Sequence, residues 1–118
     1  MDVDIPQIGQ AVRGSSSGKP IMVLFDLLGR SWALGIIWSL SDGPLTFRAL
    51  QDKCGDISPS VLNRRIKELR ASNILDHEKS GYFLTDTGKE LFSLLSPLGH
   101  WAIKWGEELQ KKENGTQV

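Results

Sequence analysis

Apolar side chains recur every three or four residues through the first half of the chain, which is the spacing of an amphipathic helix. A first helix is predicted from Pro20 to Gly29, because glycine commonly ends a helix. Ser31 is expected to cap a second helix, since its hydroxyl can accept a hydrogen bond from a free N–H of the first turn. Gly43 and Pro44 end that helix. The pattern predicts two short helices, the second largely buried.

The next two helices have the clearest boundaries. Thr46 is the expected cap of a third, short helix that ends at Gly55. After a tight turn, Ser58 supplies a capping hydroxyl, and Pro59 suits the first helical position because its φ is fixed. The fourth helix runs to Ser72, with an inward stripe of leucine and isoleucine.

Two short strands and a long apolar segment follow. The strands are predicted at 74–78 and 82–85, joined by a three-residue loop that contains Gly81. The segment from 87 to about 112 carries an apolar stripe too wide for one small domain to cover, which favours a second copy as its partner. Pro97 predicts a kink or break in it. This order is that of a winged helix-turn-helix, a mainly α fold with a small β-hairpin (α+β) and a long C-terminal dimerisation helix.

Composition indicates one domain of 118 residues, with 40% apolar residues. A flexible arm is expected over 1–19, the folded domain over 20–112 and a disordered tail over 113–118. One cysteine and two histidines exclude an internal disulfide and supply a metal site poorly, so neither a metal nor a cofactor is expected. The absence of a long apolar span or a secretory signal favours a cytoplasmic protein without a membrane partner.

The formal net charge of zero conceals an uneven distribution. Between Leu45 and Ser72 there are six Lys and Arg against three Asp and Glu, and the balance is reversed in the rest of the chain. Four of the six cations lie on the fourth helix. A helix fits the major groove of double-stranded DNA, where cations neutralise phosphates and read guanine edges. The fourth helix is therefore the predicted recognition helix.

The first half of a recognition helix usually reaches the base edges, so Ser60, Asn63 and Arg64 are predicted to read sequence. Lys67, Arg65 and Arg70 are predicted to hold phosphates. A charge run on a helix is more often a solvated face, but the turn, the cap and the hairpin favour DNA binding here. The complete predicted DNA-binding set is Thr46, Arg48, Ser58, Ser60, Asn63, Arg64, Arg65, Lys67, Arg70 and Lys79.

Four segments resemble the HxlR-type winged helix-turn-helix transcriptional regulators, a MarR-like group of prokaryotic proteins. They are LGRSW (28–32), SDGPLTF (41–47), GDISPSVLNRRIKEL (55–69) and YFLTDTG (82–88). The resemblance implies a homodimer built from the first and last helices, DNA binding through the fourth helix and the wing, and regulation of transcription. Two recognition helices in one dimer predict a pseudo-palindromic operator, with the bound protein in the nucleoid. The predicted dimer interface is Val23, Leu24, Leu27, Leu94, Leu98, Trp101 and Trp105.

The chain departs from the family in two places. Several members use a Cys-Pro pair at the start of the domain to sense oxidants or electrophiles, whereas this chain has Lys19-Pro20. Cys54 lies where the family has a core leucine and is interpreted as a small hydrophobe rather than a redox site. The hairpin loop is short, with Lys79 as its one cation, so modest wing contacts are expected.

The sequence allows functions other than DNA binding. The sequence shows no nucleophile and base set, metal set or phosphate-binding glycine loop, so an enzyme is not expected. The alternative is a winged-helix protein–protein interaction module without specific DNA binding. Trp101, Trp105 and His100 could line a pocket for a small-molecule effector, but a dimer core is the favoured use. The sequence identifies neither the effector nor the target genes.

Overall fold

A computed structural model describes residues 4–115 and, within them, six α-helices and one hairpin in the predicted order. The strands β1 (Leu75–Glu78) and β2 (Gly81–Leu84) pair antiparallel, with Leu75 opposite Leu84. The predicted winged helix-turn-helix is confirmed. The helices are α1 (Pro20–Leu28), α2 (Ala33–Ser39), α3 (Phe47–Cys54), α4 (Pro59–Ala71), α5 (Asp86–Leu95) and α6 (Pro97–Gly115), with a short 3-10 helix at Leu40–Asp42.

One core holds the first four helices against the hairpin. The inward stripe predicted for α4 is confirmed, because Leu62, Ile66 and Leu69 are at most 2% exposed. These side chains meet α2 and β1 residues in one apolar cluster, which removes their surface from water and is the main favourable term in folding. The largest fully buried side chains are Ile36, Ile37, Leu50, Leu62, Ile66, Leu69 and Leu75.

Hydroxyl caps fix the start of α3 and α4, as predicted. The hydroxyl of Thr46 accepts a hydrogen bond from the Ala49 N–H at 3.2 Å, and that of Ser58 accepts from the Val61 N–H at 3.2 Å. Each bond satisfies one of the backbone donors that a helix leaves free at its N-terminus. The first residues of α3 and of α4 are therefore both set by local chemistry.

The prediction that Ser31 caps α2 is wrong. The N-cap is Trp32, whose φ of 72° is left-handed, and no side chain caps the helix. Ser31 instead faces α4: its carbonyl accepts from Nε of Arg65 at 2.7 Å, and its hydroxyl accepts from Nη2 of Arg65 at 3.2 Å. Hydrogen bonds to a charged guanidinium are stronger than a neutral cap, and the sequence gives no sign that Arg65 is near.

A buried carboxylate joins the α1–α2 connection to α4. Glu68 has a side chain only 6% exposed, and its two oxygens accept from Nη1 of Arg30 at 2.7 Å and from Nη1 of Arg65 at 3.1 Å. Arg30 also donates to the carbonyl of Asp4 in the N-terminal arm, at 2.7 Å. We call Arg30, Glu68 and Arg65 the buried ion network.

The hairpin is shorter than predicted, with a two-residue turn because Glu78 pairs directly with Gly81. Gly81 has a φ of 118°, and a side chain there would overlap the carbonyl of Leu45. Leu45 makes an isolated bridge with Tyr82, in which each N–H donates to the other residue's carbonyl at 2.8 and 2.9 Å. The extra backbone contact anchors the hairpin to the segment just before α3.

The ends of the chain differ in part from expectation. The predicted break at Pro97 is confirmed, since α5 ends at Leu95 and α6 begins at Pro97. Residues 113–115, expected in the tail, continue α6, while 116–118 and 1–3 lie outside the described residues. The arm lies against α1, where the Arg13 N–H donates to Asp26 at 3.1 Å. Its flexibility stays a prediction.

Among residues 4–115, no single helix is long and apolar enough to cross a membrane, although α1 together with residues 33–42 reaches that length and composition across an 82° bend.

Removal of the Glu68 carboxylate should destabilise the fold strongly. Glu68→Ala leaves two guanidinium groups that are only 21% and 13% exposed facing each other, and we expect a loss of about 3 kcal/mol in the free energy of unfolding. Asp42→Ala, which breaks the exposed pair with Lys53, is the matched control and should cost less than about 1 kcal/mol. Urea denaturation measures both, and equal losses would contradict a central role for Glu68.

Candidate nucleic-acid interface

One exposed stripe runs along α4, opposite the side that packs into the core. Ser60, Asn63, Arg64 and Lys67 follow each other at intervals of three, one and three residues, so they share one face of the helix. All four are exposed. We call these residues the α4 stripe. It contains the three positions predicted to read bases and one predicted to hold phosphate.

The six cations of the segment 45–72 divide into two equal groups within the described part of the chain. Lys53, Arg65 and Arg70 have acidic partners at 3.3, 3.1 and 3.2 Å respectively. Arg48, Arg64 and Lys67 are exposed and make no hydrogen bond or ion pair with any described residue. The cations free to bind a polyanion therefore lie on α3 and on the α4 stripe.

Two of the predicted phosphate contacts are engaged inside the protomer. The side chain of Arg65 is 13% exposed and belongs to the buried ion network. Arg70, at the end of α4, pairs with Asp76 of β1, and both side chains are about half exposed. The bonds from Arg65 to Ser31 hold α4 to the connection between α1 and α2, and the pair of Arg70 with Asp76 joins α4 to the hairpin.

The remaining predicted DNA contacts lie at the edges of this region. Thr46 and Ser58 are exposed and cap α3 and α4, so their hydroxyls already accept a backbone N–H. Lys79 is exposed in the hairpin turn. Two residues earlier, on β1, His77 packs its ring on Tyr82 with a centroid distance of 4.4 Å, which favours a structural use of this histidine.

The second candidate surface is the apolar face of α6, a helix that has no buried residue in the protomer. Trp101 and Trp105 stack with centroids 5.7 Å apart and are 59% and 49% exposed. Exposed aromatic area of this extent normally marks a binding surface. The exposed apolar residues of α6 and the end of α5 are Leu94, Leu98, Trp101, Ile103, Trp105 and Leu109.

The α1 residues predicted for the dimer interface are not the ones that α1 exposes. Val23 and Leu27 are 8% and 5% exposed within the protomer, and Leu24 is half-buried against the core. The apolar residues that α1 turns outward are Ile21 and Phe25, 52% and 56% exposed. Their spacing of four residues was visible in the sequence, but α1 is apolar on both sides, so periodicity did not reveal which side the core takes.

Cys54 is half-buried against the core, with its Sγ 3.7 Å from the hydroxyl of Ser39. This position supports the interpretation of Cys54 as a small hydrophobe. In the part of the chain that the structure describes, no group of three or more His, Cys, Asp and Glu residues is placed to hold a metal ion.

The model of the HxlR-like helix-turn-helix proteins matches residues 27–110. The chain belongs to the HxlR family. It is similar to the HTH-type transcriptional regulator YodB of Bacillus subtilis, with 32% identity over 90 residues that cover 70% of this chain and 80% of YodB. An HTH-type regulator of Methanocaldococcus jannaschii is 28% identical over 91 residues, which cover 73% of this chain and 85% of that relative.

Solved structures agree with this assignment to the HxlR family. Quinone-bound YodB has a TM-score of 0.67 at 32% identity and matches 72% of this chain and 97% of its own. A possible HxlR family transcriptional factor from Thermoplasma volcanium has a TM-score of 0.66 at 27% identity, over 71% and 82% of the two chains. The HxlR member described here is thus a transcriptional regulator of a DNA-binding family whose relatives are regulators, not enzymes.

Neighbouring arginines on α4 should differ in their effect on stability. Arg65→Ala removes two bonds to Ser31 and one to Glu68, and we expect it to cost about 2 kcal/mol of unfolding free energy. Arg64→Ala, one residue earlier and fully outside these contacts, should change it by less than about 0.5 kcal/mol. Thermal and urea unfolding of the two variants test the assignment, and the opposite order would overturn it.

Proposed function

We propose that this HxlR protein acts as a homodimer that binds a pseudo-palindromic operator, with α4 of each protomer in the major groove. The observation that carries the proposal is the α4 stripe, because its amide and cations have no partner among the described residues. An exposed Asn63 and Arg64 side by side present the donors that address adenine and guanine edges. A helix face that only contacts water would not need an amide and a guanidinium at these two positions, because any polar side chains would do.

Each predicted contact receives a role consistent with its position. Asn63 and Arg64 read bases, and Ser60 supplies a hydroxyl close to the helix start. Lys67 and Arg48, both exposed cations, hold phosphates. Thr46 and Ser58 act as caps that place the N-termini of α3 and α4 close to the DNA backbone, where free N–H groups favour anions.

Three further cations contribute less in this proposal. Arg65 serves as a positioning residue inside the buried ion network rather than as a phosphate contact. Arg70 reaches phosphate only by giving up Asp76, and the exchange of one exposed ion pair for another contributes little. Lys79 is the one cation of a two-residue turn, so contacts of the wing with DNA are few.

The dimer is built on α6 and α1 in this proposal. Leu98, Trp101, Trp105 and Leu109 follow each other at three- and four-residue intervals along α6 and form the central strip, with Leu94 of α5 at its end. Ile21 and Phe25 extend it on α1. Val23, Leu24 and Leu27 support that surface from inside the protomer. Two recognition helices about 34 Å apart then match half-sites one helical turn apart.

Quinone binding in YodB does not transfer directly to this protein. Several family members sense oxidants or electrophiles through the cysteine that Lys19 replaces here. Cys54 lies half-buried beside Ser39 and does not stand in for it. We therefore propose that this protein is not regulated by a thiol at the start of the domain.

Two substitutions on the α4 stripe should weaken operator binding in different ways. Arg64→Ala should cost roughly 1–3 kcal/mol per half-site and relax the preference at one base position. Lys67→Ala should weaken all sequences alike and lower the salt slope by about 1 per protomer. Fluorescence anisotropy with genomic operator DNA and a scrambled duplex at several salt concentrations separates the two effects.

Lys111→Ala, an exposed cation on α6 away from the α4 stripe, is the matched control and should leave binding unchanged. An exchange of the two phenotypes would swap the roles of Arg64 and Lys67. No binding of any duplex above the non-specific level would favour the protein–protein interaction module instead. A footprint without inverted symmetry would contradict the symmetric dimer.

A charge in the tryptophan pair should disrupt the dimer. Trp101→Glu places a carboxylate in the centre of the apolar strip, and we expect a loss of at least about 2 kcal/mol of association free energy. Ile103→Glu puts the same charge about 200° around the helix and should have a much smaller effect. Sedimentation velocity over a concentration series measures both, and equal effects would place the interface elsewhere.

A further inference from the structure

A cavity of about 500 Å³ lies between the N-terminal arm, α1 and α5. Ile5, Pro6 and Ile8 of the arm form one wall. The opposite walls come from α1, including Leu24, and from α5, including Leu91. Its volume lies within the range of small-molecule sites, which are mostly apolar and formed by the folded protein itself.

The chemistry of the cavity selects an uncharged ligand. Glu90 is its one charged residue among those that the structure describes, and no cation is present to receive an anion. Because Glu90 is exposed, solvent screens its attraction for a cation, and the rest of the cavity offers a positive charge no partner. Gln7 and Thr87 add an amide and a hydroxyl, enough for one or two hydrogen bonds. A lipophilic molecule with a single polar group therefore fits, whereas a carboxylate or sulfonate would be buried without compensation.

The cavity is linked to the recognition helix by two routes, one direct through Ser72 and one indirect through Arg30. Ser72, the C-cap of α4, lines it and donates its hydroxyl to the carbonyl of Glu68 at 2.8 Å. On the other side, the arm accepts a bond from Arg30 through the carbonyl of Asp4, one residue before the cavity wall begins at Ile5. Arg30 binds the carboxylate of the same Glu68. Both walls thus lead to one residue of α4.

We propose that this cavity is an effector site for an uncharged lipophilic small molecule, and that its occupation strengthens operator binding through Arg30 and Glu68. A ligand that contacts the arm, α1 and α5 at once binds best when the arm is in place, so it stabilises that arrangement. When the arm is in this position, the carbonyl of Asp4 accepts a bond from Arg30 and so keeps Arg30 on Glu68, which orients α4. The effect on operator binding rests on the proposed function, whereas the ligand site itself does not.

The ligand class is tested without DNA, on the full chain, with a matched pair of fluorescent probes. N-phenylnaphthylamine is uncharged and lipophilic, and anilinonaphthalene sulfonate is its sulfonated analogue. We expect the uncharged probe to bind with one site per protomer, and the sulfonate to bind about tenfold more weakly or not at all. Equal affinities would overturn the assignment of the ligand class.

The position is tested by filling the cavity from the arm. Gln7→Trp adds a large side chain to the cavity wall, and Gln10→Trp adds the same side chain to an exposed arm position that does not line it. Only the first should abolish binding of N-phenylnaphthylamine. Equal binding by the two variants would overturn the site. Binding that decreases as the protein dimerises would show that the second copy fills the cavity, which also overturns the proposal.

The coupling is tested by operator titrations with and without saturating N-phenylnaphthylamine. The probe should raise the affinity of the unmodified protein roughly fivefold or more and leave Gln7→Trp unchanged. Arg30→Ala removes the Nη1 group that donates to both Asp4 and Glu68, so this variant should bind the probe without any change in DNA affinity. No change, or a decrease, in the unmodified protein would overturn the coupling. Failure of the operator titration without probe would instead count against the proposed function.

Discussion

The carboxylate of Glu68 is the interaction on which the position of the recognition helix depends. A buried charge costs several kcal/mol unless hydrogen-bonded partners compensate it, and here two guanidinium groups at 2.7 and 3.1 Å do so. One partner comes from the connection after α1 and the other from α4 itself. Because Arg65 also binds Ser31 before α2, the network fixes α4 about its own axis as well as its distance from the core.

The same network explains why adjacent arginines have different uses. A step of one residue turns the side chain by about 100° around a helix, so Arg65 faces the α2 connection while Arg64 faces solvent. Lys53, Arg65 and Arg70 each pair with a carboxylate of the same protomer and are therefore less available to DNA, and Arg65 is also largely buried. What remains free is a narrow stripe rather than a broad basic patch, which agrees with a net charge of zero for a DNA-binding family.

The features that could be predicted from the sequence are those set by local chemistry. Thr46, Ser58 and Pro97 act within one helical turn, so the boundaries that they set could be read directly. The role of Ser31 could not be read in this way, because its partner Arg65 is 34 residues away in the chain. A positive φ was expected at Gly81, but its place in β2 and its close approach to Leu45 were not, because Leu45 is also distant in the chain. The outward side of α1 was missed for a related reason, since a helix apolar on two sides gives no internal sign of which neighbour it meets.

A small set of free cations sets a physical limit on how this protein can bind DNA. Counterion release scales with the number of phosphates neutralised, and Arg48, Arg64 and Lys67 supply few such contacts in each protomer. Affinity in the proposed complex must then come from base contacts on the α4 stripe and from joining two half-sites in one dimer. Both sources require fixed geometry, because a misplaced helix loses base contacts before it loses phosphate contacts. The buried Glu68 and the apolar α6 face therefore act on the same property, since one sets how α4 sits in a protomer and the other sets the spacing of the two copies.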